Sequence, residues 1–220
     1  MEISVSLDPS SGKDFKEYVN YLNGINGISI HCDVMDGIFV PRVAIPMEEY
    51  THLMKNTVHD VDVHLMIDKP NGNLEQFLAK VVLGKIRSVC FHIEAIDVDG
   101  ALKLLQKIKL SATEAGIAID QDTNPDQIDE RIYTLCDVVT IMSIKCGASG
   151  RPFNPEALDK VRYIRAKYPN IRIIIDGGIN ESNAQQVKEA GVQTAVMGSA
   201  IYNAEDREKK ILQISSLTSQ

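Results

Sequence analysis

A histidine and two aspartates fall within six residues in HCDVMDG (31–37), interleaved with apolar side chains rather than gathered as a solvated charge run. On a strand, residues two apart leave the same face, so His31 and Asp33 project together while Cys32 and Val34 point the other way. His64 lies in VDVHLMI (61–67) and Asp176 ends IRIIID (171–176), each in another β-branched run. Two imidazoles and two carboxylates drawn to one opening make a site for one divalent metal ion. Such N/O ligation suits Zn, Fe, Mn or Co without choosing among them. The competing reading is four separate polar residues, each satisfied by its own neighbours, and for a lone strand-end histidine that is the commoner case. Four such groups at strand ends favour the shared site.

A second set of residues suits an anion. Gly177-Gly178 follow the run that ends in Asp176, and Gly198-Ser199 close and follow the run TAVMG (194–198). Backbone N–H groups approach an anion closely where no Cβ intervenes, and a helix N-terminus adds a favourable dipole. Either pair by itself is a turn; the coincidence of the two favours phosphate. The small-residue segment KCGASGRPF (145–153), with Gly147 and Gly150, reads as a lid over a bound phosphate, Arg151 being an anion contact. A surface loop with a solvated arginine is the alternative. Met35, Met66 and Met142 lie at or near strand ends and are expected as an adaptable apolar floor beneath the metal site, against their usual use as core filler.

These residues need elements to position them. Eight β-branched or apolar runs recur along the chain: 3–7, 28–34, 61–67, 88–94, 116–120, 138–142, 171–176 and 194–198. Helical patterns separate them. In EALDKVRYIRAKY, Leu158, Val161, Ile164 and Tyr168 share a face, while Lys160, Arg162 and Lys167 point elsewhere. Asn154-Pro155 marks the start of that helix, and Gly191 closes the helical stretch 181–191. Eight such alternations predict an α/β chain folded as a (β/α)8 TIM barrel, a single domain over residues 1–220. An open doubly wound sheet is the alternative, but the first turn, LDPSSGKDF, lacks a G-x-G-x-x-G fingerprint. Ser6, His31, Asp33, His64, His92, Asp120 and Asp176 all fall near the C-terminal ends of the runs, whereas the N-terminal ends read as mostly featureless. In a barrel this asymmetry gathers them at one mouth, where loops after the last two strands commonly cradle phosphate.

Composition narrows the classes. A net charge of −7 argues against a general nucleic-acid binder. No apolar run approaches bilayer length, and MEISVSLDP shows no secretory pattern. Cys32, Cys90, Cys136 and Cys146 form no CxxC pair, which fits a reducing, cytoplasmic setting better than a disulfide framework.

Together the motifs IHCDVMDGIFVP (30–41), DVHLMI (62–67), FHIEA (91–95), MSIKCGASGRPF (142–153), IDGGI (175–179) and VMGSAIY (196–202) resemble the ribulose-phosphate 3-epimerase family. They run from the second strand to the eighth in that family's order. The resemblance implies a (β/α)8 barrel that inverts C3 of a ketose phosphate, D-ribulose 5-phosphate or D-xylulose 5-phosphate, through an enediolate. It implies His31, Asp33, His64 and Asp176 as metal ligands, with Asp33 and Asp176 as the acid–base pair. Ser6 resembles the family serine near the substrate, and Gly177, Gly178, Gly198 and Ser199 match phosphate positions. Gly147, Gly150 and His64 are expected beside the substrate as well. A homo-oligomer is expected.

The chain departs from the family in three places. The lid reads CGASGR rather than close to PGFGGQ. IDQDTNP replaces LNPxTP, placing Asp120 where asparagine is expected. SLDPSS replaces SILSAD, adding Asp8 near the mouth. These changes keep an allulose-6-phosphate 3-epimerase, and a non-catalytic phosphosugar-binding paralogue, as rivals. Barrel decarboxylases and synthases carry D-x-K-x-x-D, whose lysine is missing from DVMDG. Asp36 is expected to shape the loop rather than bind metal.

Overall fold

The computed structural model describes residues 1–68, 86–111, 113–148 and 150–217. Eight strands form the barrel: β1 (Glu2–Ser6), β2 (Ile28–Asp36), β3 (Val61–Met66), β4 (Ile86–His92), β5 (Glu114–Ile119), β6 (Val138–Met142), β7 (Arg172–Asp176) and β8 (Thr194–Met197). Each pairs in parallel with the next, and β1 pairs with both β2 and β8, which closes the sheet. The expected (β/α)8 barrel is therefore the observed fold, and the open sheet is excluded. A short antiparallel strand, Val43–Ala44, folds back on the end of β2.

Helices α1 (Phe15–Leu22), α2 (Met47–Asn56), α3 (Val98–Lys109), α4 (Glu130–Leu135), α5 (Ala157–Lys167), α6 (Ala184–Glu189), α7 (Ser199–Tyr202) and α8 (Arg207–Leu217) accompany the strands. Each longer helix buries one stripe against the sheet: Ala101, Leu104, Leu105 and Ile108 in α3, and Leu158, Val161 and Ile164 in α5. The apolar spacing of three and four predicts the α5 stripe, except that Tyr168 falls just past the helix end. Odd-numbered β2 residues carry the opposite assignment to even ones, so Ile30, Cys32 and Val34 join the large core between sheet and helices.

Strand alternation stacks the barrel interior in tiers. Cys90, Ala118, Val138, Ile174 and Val196 form a small apolar cluster of their own midway up. A Cβ on Gly116 would collide with the Val138 carbonyl oxygen, so this layer is packed too closely for any other residue there. Below it, the N-terminal ends are not featureless as expected: they hold an ionic plug. Asp62, buried, accepts from Arg87 Nε at 3.1 Å, Arg172 Nη2 at 2.8 Å and Ser88 Oγ. Arg172 also binds Glu114, and Arg87 binds Glu2. The signal was present as single charges opening apolar strands, but their partners lie on other strands. Above the apolar tier is the mouth.

Candidate metal centre and substrate cavity

Strand register builds the site. Ser6 stands opposite His31 between β1 and β2, Asp33 opposite His64 between β2 and β3, and Met142 opposite Asp176 between β6 and β7. Residues of one tier on neighbouring strands thus meet without any loop having to carry them. One side-chain donor each from His31, Asp33, His64 and Asp176 lies within 4.8 Å of every other. His31 Nε2 is 3.2 Å from Asp33 Oδ1 and 3.7 Å from Asp176 Oδ2; His64 Nδ1 is 3.0 Å and 3.7 Å from the same oxygens. Ser6 Oγ donates to Asp33 Oδ2 at 2.9 Å and accepts the Asp8 N–H at 3.2 Å.

The cluster fits a cation on two independent grounds. Among the described residues neither ring nitrogen of His31 has a hydrogen-bond partner, although the residue is buried. A buried polar group normally has a partner. An unbonded nitrogen close to a carboxylate oxygen is placed as one ligand beside another around a shared ion. The second ground is charge. Burial opposes a charge on His64, but the Asp176 and Asp33 carboxylates outweigh it and push its pKa up to about 9. His31 is raised in the same way, against burial, chiefly by Asp33. Burial would raise Asp33, yet the two imidazoles hold its carboxyl far below the usual range. The pocket therefore demands positive charge, and an N₂O₂ donor set accepts a divalent ion of the borderline class.

The carboxylates of Asp33 and Asp176 face a cavity of about 690 Å³. Ser6, Asp8, Gly147, Gly150, Arg151, Gly177, Gly178, Gly198 and Ser199 line it too, while His31 and His64 lie buried behind the carboxylates. Met35, Met66 and Met142 line it as well. Met35 and Met66 pair across the sheet two residues beyond Asp33 and His64, so they wall the cavity on the solvent side of the ligands instead of lying beneath them. Gly177 and Gly178 have φ of +118° and +66°, and a Cβ on Gly178 would come within 2.5 Å of the Phe153 backbone nitrogen. Gly178 lets the end of β7 and the segment 150–153 pack together, while Gly177 makes room for Ile144. Asn180 and Asn183 donate to the Gly178 carbonyl and hold the turn.

Asp120 and His92, also strand-end residues, stay outside the four-ligand cluster. Asp120 accepts the Cys146 N–H at 3.2 Å and so ties the end of β5 to the 145–153 segment. Lys160 Nζ donates to the carbonyls of Asp120, Gln121 and Thr123 at 2.8, 2.6 and 2.7 Å. His92 packs beside His64, ring centroids 5.0 Å apart. Asp36 accepts the backbone N–H groups of Ile38, Phe39 and Asp68, a loop-shaping role. Asp8 forms a two-point ion pair with Arg42; burial raises its pKa against the pull of that guanidinium. Sequence reading missed Arg42, along with Asn180, Asn203 and Lys210 on the cavity wall, because no spacing rule links them to the strand ends.

Fold and site together define a (β/α)8 barrel with a candidate metal centre at its C-terminal mouth. The chain belongs to the ribulose-phosphate 3 epimerase family, whose model matches residues 2–202. It is thus an isomerase, an epimerase of that family. A ribulose-phosphate 3-epimerase of Aquifex aeolicus is 33% identical over 192 residues, covering 86% of this chain and 83% of the relative. One from Mycobacterium leprae is 37% identical over 183 residues, covering 80% and 78%. Among solved structures, 3-hexulose-6-phosphate synthase from Salmonella typhimurium superposes with a TM-score of 0.67 at 17% identity, covering 99% of this chain and 98% of that one. That likeness is one of fold. Among the described residues no helix is long and apolar enough to cross a membrane.

Proposed function

We propose that this chain is a metal-dependent epimerase that inverts C3 of a ketose phosphate, interconverting D-ribulose 5-phosphate and D-xylulose 5-phosphate. The observation that carries the reading is the convergence of His31, Asp33, His64 and Asp176, with both carboxylates facing one cavity. The names of the curated relatives support the five-carbon substrate. His31 through Nε2, His64 through Nδ1, Asp33 and Asp176 would hold one divalent ion of zinc, iron, manganese or cobalt. When bound, such an ion supplies Lewis-acid stabilisation of the negative charge that grows on the C2 oxygen once C3 is deprotonated.

The chain's own residues do the rest. Asp33, held ionised by the flanking imidazoles, takes the C3 proton at a carboxylate oxygen. Asp176, from a strand on another sector of the barrel, delivers a proton to the opposite face. The roles exchange in the reverse direction, so the pair carries one proton between them. Ser6 Oγ–H fixes the orientation of Asp33. Met35, Met66 and Met142 exclude water beside the planar carbon. The phosphate rests on the backbone of Gly177, Gly178, Gly198 and Ser199, with Gly147, Gly150 and Arg151 covering it. The same reading treats residues 1–220 as one barrel domain and places a homo-oligomer in the cytoplasm, acting on a small sugar phosphate without nucleic acid or membrane.

A coupled assay on ribulose 5-phosphate and allulose 6-phosphate, with metal-stripped and metal-restored protein, tests the reading. Turnover of the five-carbon substrate, lost on stripping and regained with a divalent ion, is the expected result. Preference for the six-carbon substrate would reassign the sugar. Inactivity on both in the metal-loaded protein would leave a phosphosugar-binding paralogue.

A further inference from the structure

We propose that His92 and Glu94 are positioning residues that hold the His64 ring in the tautomer whose Nδ1 lone pair faces Asp33 and Asp176, and so set the affinity of the centre for a divalent ion. This rests on the four-ligand reading above. To serve as a ligand, His64 Nδ1 must carry no proton, so the ring proton must sit on Nε2. His64 Nε2 lies 3.0 Å from His92 Nε2, a pair in which one ring donates and the other accepts. With His64 donating, the proton of His92 must sit on its Nδ1, which is 2.9 Å from Glu94 Oε2. The other Glu94 oxygen accepts the Asp120 backbone N–H at 2.9 Å. A carboxylate at the far end of this chain of contacts therefore dictates which nitrogen of each ring carries hydrogen.

The alternative tautomer fails at the same carboxylate. If neutral His64 held its proton on Nδ1, His92 would have to donate from Nε2, and its bare Nδ1 would face Glu94, acceptor against acceptor. Both rings are fully buried, and Phe39 packs against His92 with centroids 4.8 Å apart, so the His92 nitrogen meets the mismatch inside the protein although Glu94 itself is partly exposed. Buried groups left without a partner carry the whole cost of desolvation, and partners of this kind on metal-binding histidines usually govern ligand orientation and basicity. Glu94 has two oxygens that both accept. Glutamine at this position would offer one acceptor and one donor to two donors, so it cannot satisfy His92 and the Asp120 N–H together.

The test is a titration of metal-stripped full-length protein with Co²⁺, following its visible absorption, beside imidazole ¹⁵N shifts of the metal-stripped protein that report the His92 tautomer. The Glu94→Gln variant is expected to bind Co²⁺ about 10–100-fold more weakly, with the His92 Nε2-protonated form gaining population. His92→Gln, whose amide oxygen can still accept from His64 Nε2–H, should retain more affinity than His92→Phe. A merely structural role for the pair would move neither the tautomer signal nor this order. Wild-type affinity and tautomer in folded Glu94→Gln, or equal affinities for the two His92 variants, would overturn the relay. Failure of wild-type protein to bind Co²⁺ at all would overturn the four-ligand reading and the relay with it.

Discussion

At the scale of single residues, the site divides labour between groups that differ in burial more than in type. Asp33 is 4% exposed and bonded to Ser6, whereas Asp176 is more open to the cavity. Both are asked to move a proton, so Asp33→Asn and Asp176→Asn should each lower kcat by at least about 10²–10⁴-fold, the usual worth of an acid or base. Circular dichroism should show both variants folded; near-normal turnover by either would remove it from the acid–base pair. His31 gives a different prediction. Its ring nitrogens have no hydrogen-bond partner among the described residues, so its placement makes sense as a ligand rather than as part of a protein network. Elemental analysis of purified His31→Ala should show metal content well below one ion per chain, and full retention of metal would count against its assignment.

Among elements, the turn after β7 and the entry to α7 both carry glycines, yet for separate physical reasons. Gly178 combines a left-handed backbone with a Cβ position 2.5 Å from the backbone nitrogen of Phe153. Backbone cannot step aside, so Gly178→Ala should cost about 1–3 kcal/mol, seen in urea unfolding. It should also raise KM, because the displaced segment 150–153 lines the cavity. Gly198 has an ordinary negative φ, and a Cβ there would meet Pro9 Cγ at 3.4 Å and Ser6 Cβ at 3.5 Å, normal contacts. Gly198→Ala should therefore leave stability close to wild type. The bulkier Gly198→Val should raise KM for a phosphorylated ketose more than it lowers kcat, the sign of lost ground-state binding. Unchanged KM in Gly198→Val would take that residue out of the phosphate site.

Over the whole molecule, the barrel separates a chemically active end from a locked one. The plug around Asp62 spans five strands and joins residues as far as 110 positions apart in the chain. Burial alone would raise the Asp62 carboxyl, but Arg87 and Arg172 outweigh it and hold it well below the usual carboxylate range. A carboxyl depressed in the folded state stabilises fully above its unfolded pKa of about 3.9, and that contribution fades as pH falls towards the folded value. Asp62→Asn leaves two arginines under-compensated and should cost about 3 kcal/mol near neutrality, the scale for breaking a buried pair. The gap between wild type and variant, read from urea midpoints, should hold from pH 7 to pH 5 and shrink below pH 4. A gap that widens in acid would contradict this account.

Much of this was legible before any folding was considered. The period-two alternation that sends His31 and Asp33 to one face and Cys32 and Val34 to the other is a local property of the backbone, and the structure keeps it. The repeated strand and helix patterns foretold the barrel for the same reason, since each run carries its own periodicity. What the sequence could not state was which residues meet across strands. FHIEA places His92 at a strand end, but its contact with His64 follows from the side-by-side register of β3 and β4. Asp8 stood out as an addition to the mouth, while its partner Arg42 lies in a loop 34 residues away. The charges that open β3, β4 and β7 looked unremarkable singly and become a plug only where the strands converge. The sequence by itself determined the order of elements and the face each functional side chain would take. Only the tertiary structure decided their partners, because barrel closure and strand register, which no local pattern encodes, set the distances between them.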